Sequence, residues 1–306
     1  MNKVLITGAS GFIGKNIVEL LIEKKIKIIA FLSKDDDLGF NALMKMGVHE
    51  FLYENDLFRT DIYFDSCIHL ASYGVEYGKD DYDIMLDVNI KLATKIMLFC
   101  YRNNCKNFIN TGSCFEYGKN NSFQIEENAL KNPDTIYAAT KTAADIILRN
   151  VAKNHKIKYI SVRPFGVFGN YEQYYRLLPL VVKHGMNNKP LMLTRGEQIR
   201  DYLYVKDVAQ AFFKILSTIE QIPSNEDFNI CSSNPITVRE FIEEIINVFG
   251  FDISLYNFGG IQYRKNESMR FVGSNSKLKK MTNWEPQYNL IQAINEYKKF
   301  LVDNKF

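Results

Sequence analysis

Residues 3–14 read KVLITGASGFIG, and the fold turns on this stretch. Lys3–Thr7 is short, apolar and β-branched and stops at glycine, which predicts a buried strand. After it, Ile13, Ile17, Leu20 and Leu21 fall on one stripe of a helix. Between strand and helix, Gly8, Gly11 and Gly14 set a GxxGxxG spacing, close to the dinucleotide fingerprint. Glycine permits the tight turn, and bare backbone lets a pyrophosphate approach. The free N–H groups of the helix N-terminus then attract the anion. Gly8, Ser10, Gly11, Phe12, Ile13 and Gly14 are therefore candidate cofactor residues. A glycine-rich turn alone would be a weak signal; its place between a strand and a helix is what gives it meaning.

The alternation continues outward. IKIIAFL (26–32), DSCIHLA (65–71), KNFINTGS (106–113) and KYISVRP (158–164) read as strands, and 84–103 and 136–155 as helices. Strands alternating with helices imply right-handed crossovers and a Rossmann-type, doubly wound parallel α/β sheet. Beyond about residue 165, Pro179, Pro190, Pro223, Pro235 and Pro286 break the rhythm. The expectation is a dinucleotide-binding domain over 1–165 and a smaller C-terminal α/β substrate lobe over 166–306, with segments free to interleave. The cleft between them is the default ligand site.

Composition narrows the function. The 306 residues are 46% hydrophobic and 24% charged, ordinary for a globular chain that buries its core without disulfides or metal. A net charge of +3 gives no argument for nucleic acid or an anionic membrane as partner. No apolar run is long enough to span a bilayer. Five cysteines, an odd number without a CxxC pair, and a motif that begins at once after MNKVL predict reduced thiols and a cytoplasmic protein. The four histidines are scattered, and no metal-ligand spacing is present.

The catalytic reading rests on Tyr137 and Lys141, four apart and so on one helix face. A nearby ammonium is expected to lower the tyrosine's pKa toward useful acid–base chemistry. Tyr137 then exchanges a proton with a substrate oxygen while hydride moves at the nicotinamide. Ser113, at a strand end, donates a second hydrogen bond to the same oxygen. At the end of the second strand, Ser33 and Lys34 stand where a carboxylate would select NAD, and Asp35, Asp36 and Asp37 come slightly late. This favours NADP over NAD. Asp56 and Leu57 are candidates for the adenine side.

TGASGFIG, CIHLAS, INTGSCFEYG, YAATK and VRPFGVFG together resemble the extended short-chain dehydrogenase/reductase family of nucleotide-sugar enzymes, over nearly the whole chain to NWEP (283–286). The resemblance implies that Ser113 and Tyr137 are the catalytic hydroxyls and that Lys141 binds the nicotinamide ribose and tunes the tyrosine. It adds Leu70, Ala71 and Pro164 to the cofactor set. It also implies a homodimer through a four-helix bundle to which Ile146, Ile147 and Leu148 contribute. The family's 4,6-dehydratases carry an Asp-Glu pair after the serine position; here Cys114 and Phe115 stand there, and Glu116, one place on, would face away along a strand. That argues against a dehydratase.

GEQIRDYLYVKDVAQAF (196–212), NFGGIQYRKNESM (257–269) and HLASYGVEYG (69–78) resemble CDP-abequose and CDP-paratose synthases, which reduce the 4-ketone of a nucleotide-linked deoxysugar with NADPH. A dTDP-linked substrate lies within the same reading. Arg200 and Arg264 are the candidate diphosphate ligands, since guanidinium matches phosphate in bidentate geometry. Structural pairs of Arg200 with Asp201, or of Arg264 with Glu267, are the alternatives. Tyr73, Ser113, Cys114, Phe115, Leu178 and Pro179 complete the candidate substrate set. An NAD-dependent 4-epimerase stays open beside the reductase, as does a non-catalytic NADP-sensing protein. The base, sugar and C4 stereochemistry are unread.

Overall fold

The computed structural model describes residues 3–76, 78, 81–120, 122–265 and 267–304. Tyr77 and Asn266, which fall within two of the stretches quoted above, lie outside the described residues.

The first half of the chain supplies β1 (Lys3–Thr7), α1 (Phe12–Glu23), β2 (Lys27–Phe31), α2 (Asp37–Met46), β3 (Glu50–Leu52), β4 (Ser66–His69), α3 (Tyr82–Leu86), α4 (Ala93–Arg102), β5 (Asn107–Thr111), α5 (Ile136–His155) and β6 (Lys158–Pro164). The second half supplies β7 (Gly166–Phe168), α6 (Leu177–Met186), β8 (Leu191–Leu193), β9 (Ile199–Tyr204), α7 (Val205–Ser217), β10 (Glu226–Ile230), β11 (Pro235–Thr237), α8 (Val238–Phe249), β12 (Tyr256–Phe258), β13 (Arg270–Phe271), α9 (Ser276–Thr282) and α10 (Leu290–Asp303). The expected strands appear, β1 and β6 at the bounds predicted and β2, β4 and β5 two or three residues shorter; α2 and β3 were not foreseen. The helix expected near 84–103 is α3 and α4 joined through a π-helical stretch, Asp87–Leu92.

Seven strands form one parallel sheet in the order β10-β6-β5-β4-β1-β2-β3. Its central strands are buried on both faces, which is why KVLIT and SCIH read as continuous rather than alternating apolar runs. One face packs against α4 and α5 through Phe108, Tyr159 and Leu148. The other face, with α1, continues into the second lobe through Leu178, Phe212 and Phe241. That lobe carries a small sheet in which β9 pairs with β7, β11 and β13, and a separate β8–β12 pair. The division at residue 165 is therefore not a clean cut: β10 returns from the second half to pair in register with β6.

Strand order reverses between β1 and β4, and ligands of doubly wound sheets bind at such a switch point, beyond the C-terminal strand ends. The loops after β1 and β4 touch there. A Cβ on Gly8, whose φ is +68°, would lie 2.8 Å from the backbone N of Ala71. One on Gly14 would lie 2.1 Å from the carbonyl oxygen of Gly8. Only glycine leaves this crevice open.

Candidate active site

The fingerprint residues fit a dinucleotide. Gly11 caps α1 without any side-chain hydrogen bond, so the first-turn N–H groups stay available to an anion. Phe12 and Gly14 are buried, and Ile13 is half-buried. Ser10 Oγ does not face open space; it donates to Asp36 Oδ2 at 2.6 Å, while Asp36 Oδ1 accepts the Gly39 N–H at 2.9 Å. Asp36, which sequence spacing set slightly late, thus reaches back to the glycine turn, while Ser33 and Lys34 are exposed. Asp56 accepts the Tyr53 N–H at 2.9 Å and stabilises its own turn, and Leu57 is core. Leu70 and Ala71 donate their N–H groups to Thr7 Oγ1, each at 3.2 Å, on the far wall of the crevice. Pro164 ends β6, buried and in register with Ile230.

The catalytic candidates converge beyond the end of β5. Ser113 opens a 3-10 turn, Cys114–Tyr117; its Oγ accepts the Phe115 N–H at 3.2 Å, which leaves its proton to donate. Thr135 caps α5 by accepting the Ala138 N–H at 3.2 Å, which starts the helix beside this turn. Tyr137 is half-buried and Lys141 is buried one turn later. Burial pushes the Tyr137 phenol up to about 12, although hydrogen bonding to Ser113 and Ser72 works the other way. Burial pulls Lys141 down to about 8, opposed by Glu116 and Asp145. The expectation that the lysine acidifies the tyrosine is corrected here: desolvation dominates both groups. The phenol keeps its proton at neutral pH, as suits a proton donor.

Several residues that hold this geometry escaped the sequence reading. Asn89, in the π-helical stretch, accepts the Tyr73 N–H at 2.8 Å and donates to the Tyr73 carbonyl at 2.9 Å and to Thr140 Oγ1 at 2.9 Å. Thr140 in turn donates to the Tyr137 carbonyl at 2.8 Å. A π-helical turn at a functional site is a recurrent device, but no spacing in the sequence announces it.

Glu116 does face away from the crevice, though not for the reason expected. Cys114–Tyr117 is a turn, not a strand. Glu116 Oε1 accepts the Ser113 N–H at 2.8 Å, and Oε2 pairs with Arg163 Nε at 2.9 Å, both side chains wholly buried. It braces Ser113 and is not placed to act as an acid. Burial pushes the Cys114 thiol up to about 12, helped by Asp201 and Glu116, so it is no acid either.

The second lobe brings β9 and β13 to this turn. Phe115 is exposed and lies 6.0 Å from Phe271, itself 5.6 Å from Phe165, ring centre to ring centre. Arg200 donates to Glu267 Oε1 at 2.6 Å. Its structural partner is thus Glu267 and not Asp201, whose carboxylate accepts from Ser232, Ser233 and Gly273. Arg264 is exposed, and its carbonyl accepts the Glu267 N–H at 3.0 Å. Pro179 is buried, and Leu178 is packed wholly into the core, so the Leu178 side chain is not a ligand contact. On α5, Ile146 and Ile147 are exposed, whereas Leu148 faces the sheet and drops out of the expected dimer surface. Among the described residues no helix is long and apolar enough to cross a membrane, and no group of His, Cys, Asp and Glu is gathered as a metal site.

A family model described as the NAD dependent epimerase/dehydratase family matches residues 4–231. The chain belongs to this family. Among curated relatives, it is 28% identical to the CDP-abequose synthase of Salmonella typhimurium over 308 residues, covering 97% of this chain and 98% of that protein. It is also 28% identical to the dTDP-4-dehydro-6-deoxyglucose reductase of Escherichia coli, over 80% of this chain and 81% of that one. Among solved structures, DesIV, a dTDP-glucose 4,6-dehydratase of Streptomyces venezuelae with NAD and TYD bound, superposes with a TM-score of 0.88 over 99% of this chain and 98% of that one. At 18% identity, this is a likeness of fold.

Proposed function

We propose that this family member is an NADPH-dependent enzyme that reduces the C4 ketone of a nucleotide-linked 4-keto-6-deoxysugar, CDP- or dTDP-linked. The observation that supports the reading is the Tyr137 phenol hydrogen-bonded to the Ser113 hydroxyl and to Ser72 of the loop after β4, with Lys141 buried one helical turn on. Such a pair is suited to protonating an oxygen that gains charge. The names of the two curated relatives point the same way, and the tied-up Glu116 and the inert Cys114 argue against dehydration.

The bound nicotinamide would supply hydride to the ketone carbon. Ser113 donates to the ketone oxygen and polarises it. Tyr137 passes its proton to the same oxygen as negative charge develops there. Lys141, an ammonium below its lowered pKa, orients the cofactor ribose and restores the tyrosine's proton. Arg200, released from Glu267, and Arg264 take the diphosphate; Tyr73, Phe115 and Pro179 border the sugar nucleotide. The reading includes a cytoplasmic homodimer joined through the exposed α5 residues Ile146 and Ile147.

The test is purified protein with NADPH and a panel of 4-keto-6-deoxy sugar nucleotides. Stoichiometric loss of nicotinamide absorbance is expected, with Tyr137→Phe slower by roughly 10²–10⁴-fold. Full turnover by Tyr137→Phe would refute the mechanism. One observation favours an alternative: Asp36, held against the glycine turn, is a carboxylate of the kind that selects NAD. Isomerisation of a sugar nucleotide with NAD, without net oxidation, would establish a 4-epimerase instead.

A further inference from the structure

The register of the central sheet sets Thr7, His69, Asn110, Ser161 and Asp227 side by side on β1, β4, β5, β6 and β10. Neighbours in register on parallel strands point to one face. That face also carries Phe108 and Tyr159 and is the one α5 covers, since Tyr159 OH donates to Asp145 of α5 at 2.8 Å. A polar row therefore crosses an otherwise apolar layer, directly under the catalytic helix.

Its middle is unsatisfied. Thr7 Oγ1 accepts the Leu70 and Ala71 N–H groups, each at 3.2 Å, and shares a hydrogen bond with His69 Nδ1 at 2.8 Å. His69 Nε2, Asn110 Nδ2 and Ser161 Oγ have no hydrogen-bond partner among the described residues. The three residues are 1%, 2% and 0% exposed. Buried polar groups in native interiors are almost always paired, and clusters of this kind are answered by ordered water making about three hydrogen bonds. Lys141 is buried in the helix above, and its charge acts on His69.

We propose that His69, Asn110 and Ser161 hold ordered water between the central sheet and α5, and that this water solvates the Lys141 ammonium from the sheet side. The three are then positioning residues for the lysine. The consequence for turnover rests on the proposed reaction; the water site does not. The charged groups acting on Lys141 are Glu116 from the turn after β5 and Asp145 from α5; on the β4 side it faces His69, on which its own charge acts. Glu116 and Asp145 favour the ammonium. Burial, and secondarily Lys141, hold His69 down at about 3, so it stays neutral across the working pH range.

Water solvation favours the charged lysine, so its loss lowers the lysine pKa further and moves the alkaline limb of kcat/KM to lower pH. The experiment pairs a crystal structure of the full-length enzyme at about 1.3 Å with pH profiles of Asn110→Leu and the milder Ser161→Ala, both checked for native circular dichroism. Expected are water peaks within about 2.7–3.2 Å of at least two of the three atoms. Asn110→Leu should shift the limb down by roughly half to one unit, and Ser161→Ala by less. A dry interior, with the three side chains bonded to one another, overturns the proposal. So does a folded Asn110→Leu variant whose limb stays in place. If no ketosugar is turned over at all, the reaction reading fails, and the crystal alone decides the water site.

Discussion

Replacing Arg163 by methionine should destabilise the enzyme chiefly through one carboxylate. The guanidinium is wholly buried on β6 and reaches Glu116 at 2.9 Å, Asp227 at 2.7 Å, Asp145 at 3.6 Å and the Tyr117 hydroxyl at 3.4 Å. Two of the three acids keep other partners. Asp145 retains Lys131 at 2.5 Å and Arg149 at 3.1 Å, and Asp227 retains Arg149 at 2.5 Å. Among the described residues, Glu116 keeps a salt bridge only to Lys131, at 3.5 Å, together with the Ser113 N–H and the more distant charge of Lys141. Removing one member of a buried pair costs about 3–5 kcal/mol, and the residual Lys131 contact puts the expected loss near 3. For a chain of 306 residues this lowers Tm by about 5 °C. Thermal melts and urea titrations read the effect. Glu116→Gln, which still accepts the Ser113 N–H, should return at least half of the loss in the double variant, because it removes the stranded charge. A double variant no more stable than Arg163→Met would refute this reasoning and place the energy in shape instead.

Lys141→Met should be inactive yet more stable than the parent at pH 7, by roughly 2–3 kcal/mol, because the parent buries an ammonium whose folded pKa, about 8, lies below its ordinary 10.5. Between those values the unfolded chain binds more protons, so parental stability rises with pH across that window; urea midpoints at pH 7, 8.5 and 10 should show the rise in the parent and not in the variant. Glu172, raised to about 7 by burial against the pull of Arg176, has the opposite linkage. Its neutral form favours the fold fully below about 4.5, and the benefit is lost as pH rises through 7, so Glu172→Gln should flatten the Tm profile between pH 4.5 and 7. Gly14→Ala drives a methyl group into the Gly8 carbonyl, and fluorescence titration should show dinucleotide affinity falling by more than about tenfold, or 1.4 kcal/mol.

What could be read from sequence was local. The glycine turn is set within a few residues, and the Tyr137–Lys141 spacing is fixed by helix pitch, so the local geometry of both is the one the sequence predicts. Helix α5 and strand β6 also fall where their periodicity and apolar run placed them. What stayed hidden depends on partners far along the chain. The 36th residue reads as one acid in a run of three until Ser10 is seen to bond it. Glu116 reads as a strand residue until Arg163, forty-seven positions later, draws it inward. Leu148 and its neighbours Ile146 and Ile147 are equally apolar, and only the helix packing tells core from surface. The shift of Tyr137 likewise follows from desolvation by its packed surroundings, which no five-residue motif encodes.

The return of β10 to the flank of β6 bears on how this chain is made. A ribosome that has released the first six strands has delivered a sheet whose outer edge still shows a row of unpaired amides and carbonyls. That edge stays open until Glu226–Ile230 emerges, so the nascent first half lacks one strand of its sheet until then. Truncation after β6 should yield a sticky fragment in need of a chaperone, and lobe exchange between relatives should succeed only when this strand travels with its sheet.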